Sequence, residues 1–371
     1  MPVVTVWGVV LVLCWILSTL SACSEESGGK GVEEVEDMRS GARSQKLEVI
    51  RMLDAPIVWA DTHPEVGPNI QGPSLIRVPD WVDAAFGNYY LYFADHKGSY
   101  IRFAYADDLT GPWRVHAPGS LQLDESHFPT RPPDAPPEAI ARIREAAMSQ
   151  GMDFDTFEHD IIKELTAPHI ASPDVHIDEI NQRIVMYFHG LEALGRQLTR
   201  VATSRDGIHF EAGKEILGRT YWRAFEYGGY VYGLAMPGQF YRSENPLGGF
   251  EAGPVLFNPD MRHAAVLLRG DLLYVFWTQV GHAPERILLS TIDLSPPWDE
   301  WRESAPVEVL RPERSWEGAD APLEASVRSV AYGGVNQLRD PAIYEEGGKV
   351  YLLYAVAGES GIAIAELKGI D

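Results

Sequence analysis

From residue 47 onward, short apolar runs rich in β-branched and aromatic residues alternate with polar turns of Gly, Pro, Asn and Asp, a pattern that predicts strands throughout. The runs fall into five groups of three: 73–78, 89–94 and 100–105; 173–177, 183–188 and 198–202; 221–225, 230–234 and 239–241; 263–268, 272–277 and 286–290; and 340–344, 350–355 and 361–365. One phrase recurs at the ends of these groups: a strand-like run, a small polar turn, then an aromatic that packs back on the sheet. It spans 104–113 ending in Trp113, 202–210 ending in Phe210, 241–250 ending in Phe250 and, more loosely, 290–298 ending in Trp298. A supersecondary unit returning every roughly 40 to 50 residues predicts a β-propeller, here all-β with five blades.

The fifth group runs out of chain after three strands. Ring closure needs a strand from the other terminus, and 49–53 or 55–59 would supply it, hiding sheet edges that would otherwise pair with other chains. One stretch breaks the period. Residues 124–166 open with prolines and continue with helical composition at 137–148 and 154–162, predicting a helical insertion between blades one and two that either lids the axis or decorates the rim.

Residues 1–46 read differently. An apolar run from Val3 to Leu20 leads to Leu20-Ser21-Ala22-Cys23, which is similar to the lipobox of a bacterial lipoprotein signal. That similarity implies a signal peptide over 1–22, lipidation of Cys23, a flexible tether over 23–46, and a propeller over 47–371. The protein is then held at the cell envelope, in the periplasm or at the outer membrane, and touches the membrane through its lipid only. No Lys or Arg precedes the apolar run, and an uncleaved anchor is the other reading. Both cysteines, Cys14 and Cys23, lie in this region, so the folded part has no thiol for disulfides, thiolate metal sites or cysteine catalysis.

A formal net charge of -22 argues against nucleic acid and anionic membrane faces as partners and leaves neutral sugars compatible. We expect a monomer. No phosphate-cradling Gly loop, His-Glu-x-x-His or Gly-x-Ser-x-Gly is present, which counts against kinase, zinc-protease and serine-hydrolase chemistry.

In a propeller the starts of the innermost strands and the loops between second and third strands converge on the axis. The strand starts carry Gln71, His169, Asp174, Trp222, Arg223, Arg262, His263, Arg339 and Asp340; the loops carry Asp95, His96, Lys97, His189, Gln239, Gln279, His282 and Glu359. Charges buried there cost several kcal/mol per ion, of the order of 3 to 5, unless paired or used. Asp174 and Asp340 are expected at equivalent sites on two blades. Glycoside hydrolysis needs two such carboxyl groups; otherwise each Asp caps its own strand start.

Gly72-Pro73-Ser74-Leu75, Ser172-Pro173-Asp174-Val175, Arg339-Asp340-Pro341 and the turns ending in Trp113 and Phe210 resemble the five-bladed glycoside hydrolases of families 43 and 117, over roughly residues 47–368. The resemblance implies a glycosidase acting on oligosaccharides of plant or algal polysaccharides. Family 43 begins its first inner strand Asp-Pro-Ser, with the Asp as base, where this chain has Gly72 preceded by Gln71. It brings its acidic Glu on the third, where this chain has Tyr221-Trp222-Arg223. Asp174 alone matches, at the position of the carboxylate that orients the acid. Family 117 supplies the precedent of an imidazole acid, implying His263 or His96 as acid and Asp340 or Asp174 as base. Gln71, Asp95, Gln239, Gln279 and Glu359 join as substrate-binding groups, Arg223 and Arg339 orient the sugar or hold a carboxylate or sulfate on it, and Trp222 stacks on it. A Ca²⁺ in the axial channel would need only carboxylates and water. Two other readings stay open: a propeller that binds glycans or an envelope protein without turnover, and, more weakly, phosphorolysis.

Overall fold

The computed structural model describes residues 47–149 and 161–370. The lipobox, the tether and most of the helix expected at 154–162 lie outside them. Among the described residues, no helix is long and apolar enough to cross a membrane.

Five antiparallel sheets form the predicted blades. From the axis outward, blade I is Gln71–Arg77, Tyr89–Ala94, Tyr100–Ala106 and Arg114–Gln122, and blade II is Ile170–Asp178, Arg183–Ala193, Arg196–Ser204 and Glu211–Ala212, with Gly218–Arg219 also on the third strand. Blade III comprises Arg223–Tyr227, Tyr230–Ala235, Gln239–Ser243 and Glu251–Val255; blade IV comprises Met261–Arg269, Leu272–Gln279, Ile287–Asp293 and Val307–Leu310. Blade V takes Arg339–Glu346, Lys349–Val356 and Gly361–Lys368 from the end of the chain and its outer strand from the beginning. Both candidate closing segments are used, Glu48–Arg51 against Ala365–Lys368 and Val58–Trp59 against Gly361–Ile362.

The second strands show why the sequence folds this way. Tyr89–Ala94 and Lys349–Val356 are buried almost throughout, because each blade lies sandwiched between two others. Buried apolar side chains gather in five clusters, one at each junction between neighbouring blades. Burying one such Leu, Ile or Phe contributes about 1.5–3 kcal/mol, so the ring is held by many side-by-side interfaces. At the closing junction, Arg51 donates through Nε and Nη2 to the two carboxylate oxygens of fully buried Glu317 (2.7 and 2.9 Å), and the Tyr354 hydroxyl donates to Oε1 (3.0 Å). The insertion contains helices Pro137–Ser149 and Ile161–Thr166. The second sits at the rim of the axis, where Glu164 pairs with Lys97 at 3.0 Å.

Candidate active site at the axis

Every inner strand begins with the same irregularity. Gly72, Ser172, Tyr221, His263 and Asp340 occupy corresponding positions, and all five have positive φ (63°, 49°, 57°, 31° and 47°). On blades I, II, IV and V the pairing register slips there, as a β-bulge. Only blade I uses glycine, and there a Cβ would meet the Ser172 Cα at 2.8 Å. The other four accept a conformation that costs an L-residue about 1–3 kcal/mol. The bulge turns one side chain per blade toward the mouth of the axis.

At the mouth, His263 Nε2 lies 3.3 Å from Asp340 Oδ1. The Tyr221 ring sits between two imidazoles, 4.7 Å from His263 and 4.8 Å from His189. The loops of blades I and V add His96 and Glu359, with Nδ1 and Oε2 3.4 Å apart. Glu359 also accepts from Arg339 Nη1 (2.7 Å) and Asn69 Nδ2 (2.7 Å), while Arg262 donates to both oxygens of Glu285 (2.9 and 2.8 Å). Arg339 gives its remaining donors to the Gln337 side chain and the Ser329 carbonyl.

These partners decide where the protons sit. Burial and then the charge of Glu359 push Asp340 up to about 7. Burial also resists ionisation of Glu359, but His96, Arg339 and Asn69 outweigh it and hold that carboxyl well below its usual range. Burial, reinforced by Arg262 and Arg339, pushes His263 well below the usual imidazole value. His189 is lowered by burial with His169 and His96 beside it, and His169 is lowered to about 3 by burial and Lys97. Near neutral pH the mouth therefore holds a carboxyl that still carries its proton in part, beside the neutral imidazoles of His263, His189 and His169. Asp340 Oδ2, His263 Nδ1 and His189 Nδ1 are buried without a hydrogen-bond partner, an arrangement proteins avoid unless something else occupies the group. Among the described residues, no three His, Cys, Asp or Glu side chains gather to hold a metal ion.

Asp174 stands elsewhere. It is not equivalent to Asp340; with Pro73, Pro173 and Pro341 aligned, Asp340 matches Ser172 and Gly72, and Asp174 matches Ser74 and Arg223, two residues deeper. This deeper ring staples blade to blade. Ser74 Oγ accepts from the Val175 amide (2.9 Å), and Asp174 Oδ2 accepts from the Ala224 amide (2.7 Å). Arg223 donates to the Ala264 and Pro173 carbonyls (2.7 and 3.0 Å). Asp174 also meets His176 at 2.8 Å and Arg223 at 3.6 Å; burial opposes its ionisation, but these partners hold it below the usual carboxylate value. Beyond it, the far end of the axis opens into a cavity of about 310 Å³ lined by Val175, His176 and Tyr344.

Of the other expected residues, Gln71 is buried at the mouth and accepts from Ser172 Oγ (3.0 Å). Trp222 points away from the axis into the core, stacked on Tyr241 and Tyr187, where the positive φ of Tyr221 redirects the chain; Tyr221 is the aromatic at the mouth. Gln239 is tied to the Gly253 and Pro254 carbonyls of its own blade. Gln279 bonds exposed Asn258, and Asp95 caps the Lys97 amide and meets Arg102 at 3.3 Å. Arg223 and Arg339 are committed to protein acceptors. The sequence reading missed Asn69 and Glu285. Both precede inner or third strands, where a polar residue next to an apolar run was the available signal.

No family model matches the chain. Uncharacterized protein R118 of Acanthamoeba polyphaga mimivirus is 34% identical over 325 residues, covering 81% of this chain and 83% of the viral protein. Among solved structures, CoXyl43, a GH43 beta-xylosidase/alpha-arabinofuranosidase from a compost microbial metagenome, superposes with a TM-score of 0.51 at 12% identity, covering 86% of this chain and 95% of the enzyme. The GH43_1 enzyme from Xanthomonas citri gives 0.51 at 13% identity over 85% and 90%. These likenesses establish the five-bladed fold.

Proposed function

This chain belongs to one family with the mimiviral protein R118, and from the chemistry of its axial mouth we propose that it is a glycoside hydrolase acting on oligosaccharides. The observation that carries the reading is the opposed protonation of two carboxyl groups in one site: Asp340, pushed up to about 7, beside ionised Glu359. Environments that drive two titratable groups apart mark acid and base roles, and cleaving an acetal needs an acid that is still protonated near neutral pH. Asp340 is the proton donor to the leaving oxygen, the reverse of the base role the sequence suggested. His263 holds its carboxyl; as Asp340 gives its proton to the leaving oxygen, the single proton released by the attacking water passes to one neutral imidazole with a free Nδ1, His263 or His189, both packed against Tyr221. The Tyr221 ring is the stacking face for the sugar. The two GH43 enzymes that share the fold, each captured with xylotriose, support carbohydrate as the ligand class. In this reading the anchor is Cys23 and the address is the cell envelope.

Purified protein assayed on a panel of plant and algal oligosaccharides tests this. Release of sugar that Asp340→Asn lowers by about 10²–10⁴-fold is expected. Oligosaccharide binding without release by the parent protein supports the non-catalytic reading instead. Unchanged release by Asp340→Asn discards the assignment.

A further inference from the structure

The proposed reacting atoms are closed in. Asp340 is 1% exposed, Glu359 1% and His263 4%, while a leaving-group oxygen must come within hydrogen-bond reach, about 3 Å, of the acid. What covers them is the connection between blades IV and V. Its residues 326–334 run across the mouth as a strap, held mainly through its backbone. The Val327 carbonyl accepts from Arg262 (3.2 Å) and the Ser329 carbonyl from Arg339 (3.0 Å). The Ala331 amide donates to Glu359 (3.4 Å), and the Ala331 carbonyl accepts from Asn69 (3.4 Å). The Ser360 hydroxyl is shared between the Gly333 carbonyl (3.3 Å) and that of Ala357 (3.1 Å), and Arg328 donates to the Pro259 carbonyl (3.1 Å) and Asp260 Oδ1 (3.2 Å).

Three features set this segment apart from the blades. It is held by single hydrogen bonds of 3.0–3.4 Å to several elements and belongs to no strand ladder. Ser329 is strained at φ 128° and its buried hydroxyl has no partner. Gly333 has φ 78° and, like Gly334, has nothing within 4 Å of where a Cβ would stand, so the backbone can turn there.

We infer that residues 326–334 are a gate that lifts from the mouth to admit the ligand, turning at Gly333–Gly334 and latched by Asn69 and Ser360. Asn69 is the central latch: its Nδ2 holds both the strap and Glu359, and its Oδ1 accepts from the His96 amide (2.7 Å). The gate rests on the mouth being the reacting site, but its opening is measurable without turnover. Carbethoxylation attacks neutral imidazole, and His263 keeps Nδ1 free for it beneath the strap. Peptide-resolved labelling of the whole protein with diethyl pyrocarbonate should find His263 slow in the parent. Labelling should rise about tenfold in Asn69→Ala and about threefold in Ser360→Ala, the scale of one lost hydrogen bond. Exposed His209 serves as reagent control, and His176, at the far end of the axis, reports general loosening; both should stay constant. His263 labelling as fast as His209 in the parent, or unchanged in the rim variant Ser360→Ala, overturns the gate whatever the oligosaccharide assay finds. Failure of that assay with labelling as expected would overturn the hydrolase reading and leave the gate standing.

Discussion

Two rings of side chains, two residues apart along the inner strands, face the same axis and do opposite jobs. The outer ring, with Tyr221, His263 and Asp340, sits at positive φ and leaves Asp340 Oδ2 and His263 Nδ1 without partners. The deeper ring, with Ser74, Asp174 and Arg223, sits in regular register and gives its polar atoms to the next blade. A charged residue near a propeller axis is therefore no sign of chemistry by itself. The distinction lies in whether its hydrogen-bonding capacity is already spent.

The sharpest way to break this contrast is to neutralise the two aspartates separately. Asp340→Asn should lower turnover by about 10²–10⁴-fold while keeping the fold. Asp174→Asn should keep turnover within about threefold and instead lower stability by about 1–3 kcal/mol, the cost of disturbing a buried acceptor, read by denaturant unfolding. Equal losses of turnover would merge the rings into one site.

Next in size is the closing latch. Glu317→Gln leaves Arg51 only the exposed Glu313 as anion (3.1 Å) and should cost about 3 kcal/mol in denaturant unfolding, toward the low end for a broken buried pair because Arg51 is partly exposed and keeps that second partner. Loss confined to this variant, with the site unaffected, would separate ring closure from mouth chemistry.

The pH dependence should also divide the rings. Asp340, raised from 3.8 to about 7, keeps in the folded state a proton that the unfolded chain releases near pH 4. Its contribution to stability is present below 3.8 and lost as pH climbs through 7, so Asp340→Asn should gain on the parent in melting temperature over that interval. Asp174 is depressed, so its contribution is present above 3.8 and fades only as pH falls below that value. Activity that needs the Asp340 proton should decline above about pH 7. The smallest effect is expected at Gln279, where Gln279→Ala should change sugar release less than about twofold and stability by less than about 0.5 kcal/mol.

The strands most legible in the sequence were those buried on both faces, such as Tyr89–Ala94 and Lys349–Val356, where apolar runs and bounding turns are unmistakable. Outer strands such as Glu251–Val255 and Val307–Leu310 were not placed, because they are largely exposed and carry no alternation. Closure from the N-terminal side was legible from a blade one strand short. His96, His263, Asp340, Arg339 and Glu359, all expected near the axis, lie at one mouth. The mistake over Asp174 came from counting back from the following turn, when the prolines at 73, 173 and 341 carried the register. The bulges themselves were hidden, since positive φ at Tyr221, His263 and Asp340 is imposed by tertiary packing and leaves no glycine behind.

The pairing of Glu48–Arg51 with Ala365–Lys368 joins the first described strand to the last. A chain emerging from the ribosome can assemble four blades early, yet the fifth waits until Gly361–Lys368 has been made, and until then Glu48–Arg51 has no partner. Cutting a few residues from either extremity of the propeller should thus have the same outcome: a soluble yield that collapses through aggregation, although the excised residues touch no ligand.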